Sequence, residues 1–143
     1  MADIFHYFQI NAPLEKVFKS VSTPKGLDIW WSKSSTGKLA IGETYNLSFG
    51  PEYNWAAVVS KYVPDNEFEL TITDADPDWI NSKVGLMLTF KNNVTEVHFY
   101  HTGWKDDNEH YRISCYCWAM YLRILKRNLE FGEEVSYEDR LNV

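Results

Sequence analysis

The strongest constraint on this fold is one long amphipathic helix near the end of the chain, preceded by a series of strand-like segments. Its apolar positions recur at steps of three and four, the spacing of one helix face: Tyr111, Cys115, Trp118, Leu122, Leu125 and Leu129. Residues 106–108 offer capping side chains, and Gly132 suits the C-terminal end. A helix of about 35 Å must bury this stripe against a sheet, and a curved sheet around one helix leaves a hollow.

Six segments before the helix have the composition and alternation of strands. They are residues 3–11, 45–49, 55–63, 68–72, 83–90 and 94–102. Two short helices are predicted after the first strand, one beginning at Pro13 and one at Thr23-Pro24 that runs to Trp30-Trp31. We interpret residues 32–38 as a loop, and short connections between strands favour antiparallel pairing. The sequence thus predicts an α+β fold with an antiparallel sheet of about six or seven strands.

The first strand has two different faces. Ile4, His6, Phe8 and Ile10 share the face that should point inward. Phe5 and Tyr7 lie on the other face, where two aromatic side chains on an edge strand would support association. The prediction is a monomer or a weak dimer.

Composition limits the function classes. The chain has 143 residues and a net charge of -6, which argues against binding to nucleic acid, since that requires a basic face. No segment has the roughly 20 apolar residues of a membrane span, and the N-terminus lacks the pattern of a signal peptide. Cys115 and Cys117 point in different directions on a helix and should stay reduced. We predict one cytoplasmic domain over residues 1–143, with a loosely held tail at residues 133–143.

Several motifs in order resemble the START/Bet v 1-like (SRPBCC) superfamily, and most closely the branch named after the C-terminal domain of the activator of Hsp90 ATPase. The resemblance covers residues 3–131. The motifs are Asn11-Ala12-Pro13 before Val17-Phe18, Thr23-Pro24 before Trp30-Trp31, Val58 to Pro64 with Phe68 and Thr71, His101-Thr102-Gly103-Trp104, and Trp118 with Leu122. The resemblance implies a helix-grip fold, in which a curved sheet wraps around the long C-terminal helix, with a cavity between them.

The cavity implied by the resemblance needs lining residues, and this chain is rich in aromatic ones. The candidates are Trp30, Trp31, Tyr45, Phe49, Trp55, Ile72, Met87, Phe99, His101, Tyr111, Trp118 and Leu122, with Trp79 as a further aromatic candidate. The alternative is that these side chains fill the core, which is the more frequent role for any single aromatic residue.

Few polar side chains are candidates for catalysis or metal binding. His101 lies at the end of a strand. It acts either as a general base or as a structural residue that hydrogen-bonds a backbone carbonyl there, and we favour the structural role. His6 would face inward and approach Cys115 or Cys117, a weak candidate for a dyad or a metal pair. Asp74, Asp76 and Asp78 match the start of a calcium loop, but Trp79 and Gly85 occupy the positions of its glycine and glutamate. We therefore predict a solvated acidic loop at the cavity mouth, no metal, no cofactor and no catalytic residue.

Three functions follow from these observations. The first is non-catalytic binding of a small hydrophobic or amphipathic ligand, lipid-like or aromatic. The resemblance implies two alternatives: a protein-binding module that acts on an Hsp90-like chaperone, and an enzyme of the cyclase or dehydratase type that uses the same cavity, with His101 or a tyrosine as its acid or base.

Overall fold

The computed structural model describes residues 2–143 as a single seven-stranded sheet, three α-helices and a terminal 3-10 helix. The strands are β1 (Ala2–Ile10), β2 (Ser34–Thr36), β3 (Thr44–Ser48), β4 (Asn54–Val63), β5 (Glu67–Asp74), β6 (Lys83–Lys91) and β7 (Val94–Trp104). The helices are α1 (Leu14–Ser22), α2 (Pro24–Trp30) and α3 (Glu109–Phe131), and the 3-10 helix spans Tyr137–Asn142.

The sheet is antiparallel throughout, in the order β1-β7-β6-β5-β4-β3-β2. Consecutive strands from β2 to β7 are neighbours, whereas β1 crosses over through α1 and α2 and pairs with β7 at the far edge. The long helix α3 packs against the inner face of this sheet. These features confirm the predicted α+β helix-grip fold. No helix within residues 2–143 combines the length and apolarity that a membrane span requires.

The predicted capping residues determine where the helices begin and end. The Thr23 hydroxyl accepts the Gly26 N–H at 3.0 Å and starts α2, with Pro24 as its first residue. Asn108 Oδ1 accepts the Tyr111 N–H at 2.9 Å and starts α3. Gly132 ends α3 in the left-handed conformation, with φ of 69°.

The burial patterns of α3 and β1 agree with the predicted faces. Trp118, Leu122 and Leu125 of the α3 stripe are buried in the core, while the remaining stripe residues are half-buried. In β1, Ile4 is buried and Phe5 is 68% exposed. The inner face of the sheet therefore lies where the alternation predicted it.

Two predictions are wrong in detail. Residues 32–38 contain the strand β2, because Ser34 to Thr36 pair with β3. Met87 does not face the core: it is 41% exposed on the outer face of β6, whereas its neighbours Leu86 and Leu88 point inward. The sequence does not predict this orientation, because Leu86, Met87 and Leu88 are all apolar and show no polar–apolar alternation.

The tail is anchored rather than loosely held. Arg140 is only 4% exposed, and its guanidinium donates to the backbone carbonyls of Ser32 at 3.1 Å and Asp28 at 2.6 Å. The Tyr137 hydroxyl donates to the Phe49 carbonyl at 2.9 Å. The polar composition of residues 133–143 concealed these contacts, because they are made to backbone atoms far away in the sequence.

Candidate functional site

A cavity of about 370 Å³ opens between the sheet, the first half of α3 and the anchored tail. Its lining residues are Trp31, Phe49, Tyr53, Trp55, Asp76, Trp79, His110, Ile113, Ser114, Cys117, Trp118, Tyr121 and Tyr137. Eight of these thirteen side chains are Trp, Tyr or Phe, so a ligand would meet mainly aromatic surface. The volume lies in the range of small-molecule sites.

Three tryptophans form the floor of this cavity. Trp31, Trp79 and Trp118 are exposed by only 2%, 7% and 1%. Their ring centroids lie 5.1 Å apart for Trp31 and Trp118 and 5.8 Å apart for Trp79 and Trp118. The rings fill the space between sheet and helix, so the cavity is a cleft at one end of the fold and not a tunnel through its core.

The rim is more open than the floor. Tyr53 is 54% exposed in the turn between β3 and β4. Trp55, the second residue of β4, lies beside Phe49, with their ring centroids 5.0 Å apart. Trp55 also contacts Trp79 on the floor, at 5.1 Å between centroids. Tyr137 from the tail joins this rim through its hydrogen bond to the Phe49 carbonyl. The accessible ring surface therefore belongs to residues on different elements.

The acidic loop that carries Trp79 is tied to the start of α3. His110 Nδ1 donates to Asp78 Oδ2 at 2.9 Å, and this bond is the main cause that lowers the pKa of Asp78. Lys105 Nζ donates to the carbonyl of Pro77 at 3.0 Å. These contacts place the loop at the cavity mouth, as predicted.

Asp76, Asp78 and His110 bring three ligating atoms to within 4.8 Å of one another, the only such cluster of His, Cys, Asp and Glu within residues 2–143. All three side chains are at least one-third exposed, and His110 already hydrogen-bonds Asp78. We interpret the cluster as the tether of the loop.

His101 lies beneath the floor as a fully buried hydrogen-bonding node. Trp118 Nε1 donates to His101 Nδ1 at 3.0 Å, so the proton of the neutral ring must be on Nε2, which donates to Ser82 Oγ at 2.8 Å. Ser82 in turn donates to the carbonyl of Trp79. Burial, with a smaller contribution from His110, lowers the pKa of His101 to about 3.

These geometries favour binding over acid–base or nucleophilic chemistry. Both nitrogens of His101 are engaged, and the residue has no exposed surface. Burial raises the pKa of Tyr121 to about 12 and that of the Cys117 thiol as well, so both remain protonated at neutral pH. His6 does approach Cys115, but its Nε2 lies 3.3 Å from the Cys115 carbonyl and 3.9 Å from the sulfur, and no third ligand for a metal joins them among residues 2–143.

The family model described as Activator of Hsp90 ATPase homolog 1-like protein matches residues 11–130, most of the chain. This chain belongs to that family. The match confirms the resemblance drawn from the sequence motifs, including its placement in the START/Bet v 1-like superfamily. No curated protein sequence gives a significant match.

Solved structures agree with this assignment. The solution structure of the Aha1 dimer from Colwellia psychrerythraea is 26% identical, with a TM-score of 0.84, and the match covers 93% of this chain and 99% of that one. A Bacillus halodurans protein is 23% identical, with a TM-score of 0.76, covering 91% and 98%. CalU16 from Micromonospora echinospora is 16% identical, with a TM-score of 0.74, covering 98% and 81%. The last two show the shared fold alone.

In this family member, four of the twelve predicted pocket residues line the aromatic cavity: Trp31, Phe49, Trp55 and Trp118. Five others are buried behind it in the core: Trp30, Tyr45, Ile72, Phe99 and His101. Tyr111 instead donates its hydroxyl to the Asp3 carbonyl on β1, and Met87 is on the outer face of the sheet. Sequence position alone did not distinguish an aromatic side chain in the core from one in the cavity.

Leu122 lines a different cavity, a groove of about 510 Å³ between β1 and α3. Its other lining residues are His6, Tyr7, Phe8, Gln9, Ala119, Arg123 and Lys126. The groove is larger than the aromatic cavity, but two cationic side chains border it and its aromatic lining is limited to β1. We therefore take the aromatic cavity as the candidate ligand site.

Sequence reasoning missed the residues that reach the cavity from separate segments, notably Tyr53, His110, Tyr121 and Tyr137. Tyr121 had a detectable signal, since it follows Trp118 by three positions on α3 and so lies on the same helix face. Tyr53 and Tyr137 had none, because their place depends on the β3–β4 turn and on the anchored tail.

Proposed function

We propose that this member of the family binds a small amphipathic ligand with an aromatic or otherwise planar body in the 370 Å³ cavity, without chemical conversion of the ligand. The observation that carries the proposal is a cavity walled by eight aromatic side chains at the mouth of the helix-grip fold. Stacking on such rings contributes beyond the burial of apolar area. The reduced Cys115 and Cys117 suit a cytoplasmic setting for this role.

Ligand extraction tests the proposal without a choice of ligand. Purified protein would be denatured, and the released small molecules identified by mass spectrometry, in parallel with a thermal-shift screen of aromatic and lipid-like compounds. A bound compound should quench tryptophan fluorescence, because three indoles form the cavity floor. An empty extract together with a screen that gives no shift would refute the proposal.

Two matched variants locate binding in this cavity. Trp55→Ala removes a half-buried rim ring, and we expect about a tenfold loss of affinity from the lost stacking and burial. Tyr116→Ala is the control, since Tyr116 is 78% exposed on α3 and does not line the cavity. Equal affinities of the two variants would place the ligand elsewhere.

The relation to the Colwellia psychrerythraea Aha1 dimer supports a second candidate, action on an Hsp90-like chaperone. Stimulation of the ATPase of a purified Hsp90 by this chain would support it. Absence of any effect at high concentration would reject it. A cyclase or dehydratase role is less favoured, because His101 is buried and hydrogen-bonded at both nitrogens.

A further inference from the structure

The aromatic cavity is lined by an acidic side chain but by no lysine or arginine. Asp76 is the one carboxylate among the thirteen lining residues, and none of the thirteen is Lys or Arg. A shallower depression next to the cavity shares Tyr53, Trp55 and Asp76 with it and adds the carboxylates of Glu52 and Asp74. The mouth of the cavity is therefore negative in a chain whose net charge is -6.

The imidazole of His110 does not balance these charges. Its Nδ1 lies 2.9 Å from Asp78 and 3.7 Å from Asp76, so one ring is shared between two carboxylates. Asp76 Oδ1 also accepts the backbone N–H of Asp78 at 2.9 Å, and its side chain remains 44% exposed. A single imidazole cannot neutralise two carboxylates, so at least one negative charge remains at the mouth.

The nearby cationic side chains of the protein do not line the cavity. Lys105 donates to the Pro77 carbonyl on the loop that carries Asp76. Arg140 and Lys33 lie over the Tyr137 ring, at 5.4 Å and 5.9 Å from its centroid, and Lys33 also pairs with Glu138 at 3.8 Å. Lys33, Lys105 and Arg140 therefore contact the surroundings of the cavity, and none of them is a lining residue.

Ring faces carry negative electrostatic potential, and a cation within about 6 Å of a ring centroid is attracted to them, most strongly to Trp. Tyr53 and Trp55 present partly exposed rings beside Asp76, in both the cavity and the adjoining depression. Aromatic faces next to a single carboxylate form the chemical setting that recognises ammonium groups. The deeper surface toward Trp31 and Trp118 is apolar and nearly closed.

We infer that the ligand of this cavity is an amphipathic organic cation. Its protonated or quaternary ammonium group lies against Tyr53, Trp55 and Asp76, and its apolar body extends toward Trp31 and Trp118. The inference rests on the proposed small-molecule function and specifies the charge of the ligand.

Three probes of similar size and different charge test the inference: phenyltrimethylammonium, its neutral isostere tert-butylbenzene, and the anion benzenesulfonate. Binding would be followed by tryptophan fluorescence and by chemical shifts in two-dimensional NMR spectra of the labelled protein. We expect the cation to bind about tenfold more tightly than the neutral isostere, with the anion weakest. Added salt should weaken only the binding of the cation appreciably.

Asp76→Asn should lower the affinity for the cation by about five- to tenfold and leave that for tert-butylbenzene unchanged. Asp65→Asn is the matched control, because Asp65 is an exposed carboxylate in the β4–β5 turn with φ of 62°, a conformation that Asn also tolerates. The control should bind all three probes as the unmodified protein does.

The outcomes separate the inference from the proposed function. Neutral and cationic probes that bind equally, or cation binding unaffected by Asp76→Asn, would overturn the inference and leave a neutral-ligand cavity. Failure of all three probes to bind at millimolar concentration would also count against the inference, while ligand extraction would still decide the proposed function. Preference for benzenesulfonate would reverse the assigned charge.

Discussion

The buried node at His101 gives the sharpest test of the electrostatics beneath the cavity. His101 is neutral in the folded protein, with its pKa lowered to about 3, whereas an unfolded chain would show the usual value near 6.5. Below pH 6.5 the unfolded state therefore binds a proton that the folded state rejects. Stability from the neutral imidazole is fully present above pH 6.5 and is lost as the pH falls toward 3.

The loss can be worked out from the two pKa values. Well between the two values each pH unit costs about 1.4 kcal/mol, and less near 6.5, so the protein should lose about 2 kcal/mol between pH 6.5 and 4.5 from this residue alone. His101→Phe keeps a ring of similar size but cannot titrate. At pH 7 it should be destabilised by about 2–4 kcal/mol, because Trp118 Nε1 is left without an acceptor and Ser82 loses a donor.

The two proteins should therefore approach equal stability near pH 4.5. Urea unfolding followed by far-ultraviolet circular dichroism at several pH values between 7 and 4.5 would measure this, since circular dichroism avoids changes in the fluorescence of Trp118. All other groups titrate in both proteins, so the difference between the two curves isolates His101. If the free energies of unfolding of the two proteins changed with pH in parallel, the conclusion that His101 is buried and neutral in the folded protein would be refuted.

Two other predictions concern the tail and the glycines. Arg140→Ala should lower the free energy of unfolding by about 3 kcal/mol, since it removes charged donors from the Ser32 and Asp28 carbonyls, and it should speed proteolysis of residues 133–143. The exposed Arg123→Ala should do neither, and equal urea midpoints for both variants would contradict the anchored tail. Gly26→Ala should cost about 2–3 kcal/mol, because its Cβ would lie 2.4 Å from the Lys19 carbonyl oxygen. Gly132→Ala, in open space but with φ of 69°, should cost about 1 kcal/mol, so a larger thermal shift for Gly132→Ala would refute the close approach at Gly26.

The sequence was sufficient for the fold wherever short-range periodicity determines structure. The stripe on α3 and the alternation in β1 each repeat over several residues, and the caps at Thr23, Asn108 and Gly132 act within one helical turn. The cavity instead depends on contacts between distant segments. Asp76 in the acidic loop meets His110 at the start of α3, and Tyr137 in the anchored tail meets the Phe49 carbonyl. No local pattern encodes these pairs.

The floor and the rim of the cavity differ in how firmly they are held, and this difference bears on ligand selection. A chain of hydrogen bonds from Trp118 through His101 and Ser82 to the Trp79 backbone links α3, β7 and the acidic loop. Any rearrangement of the buried floor would therefore break several of these hydrogen bonds. The exposed ring of Tyr53 takes part in none of them, because it lies in the short β3–β4 turn. Adaptation to a ligand should consequently occur at the rim, beside Asp76, while the floor fixes the depth of the site.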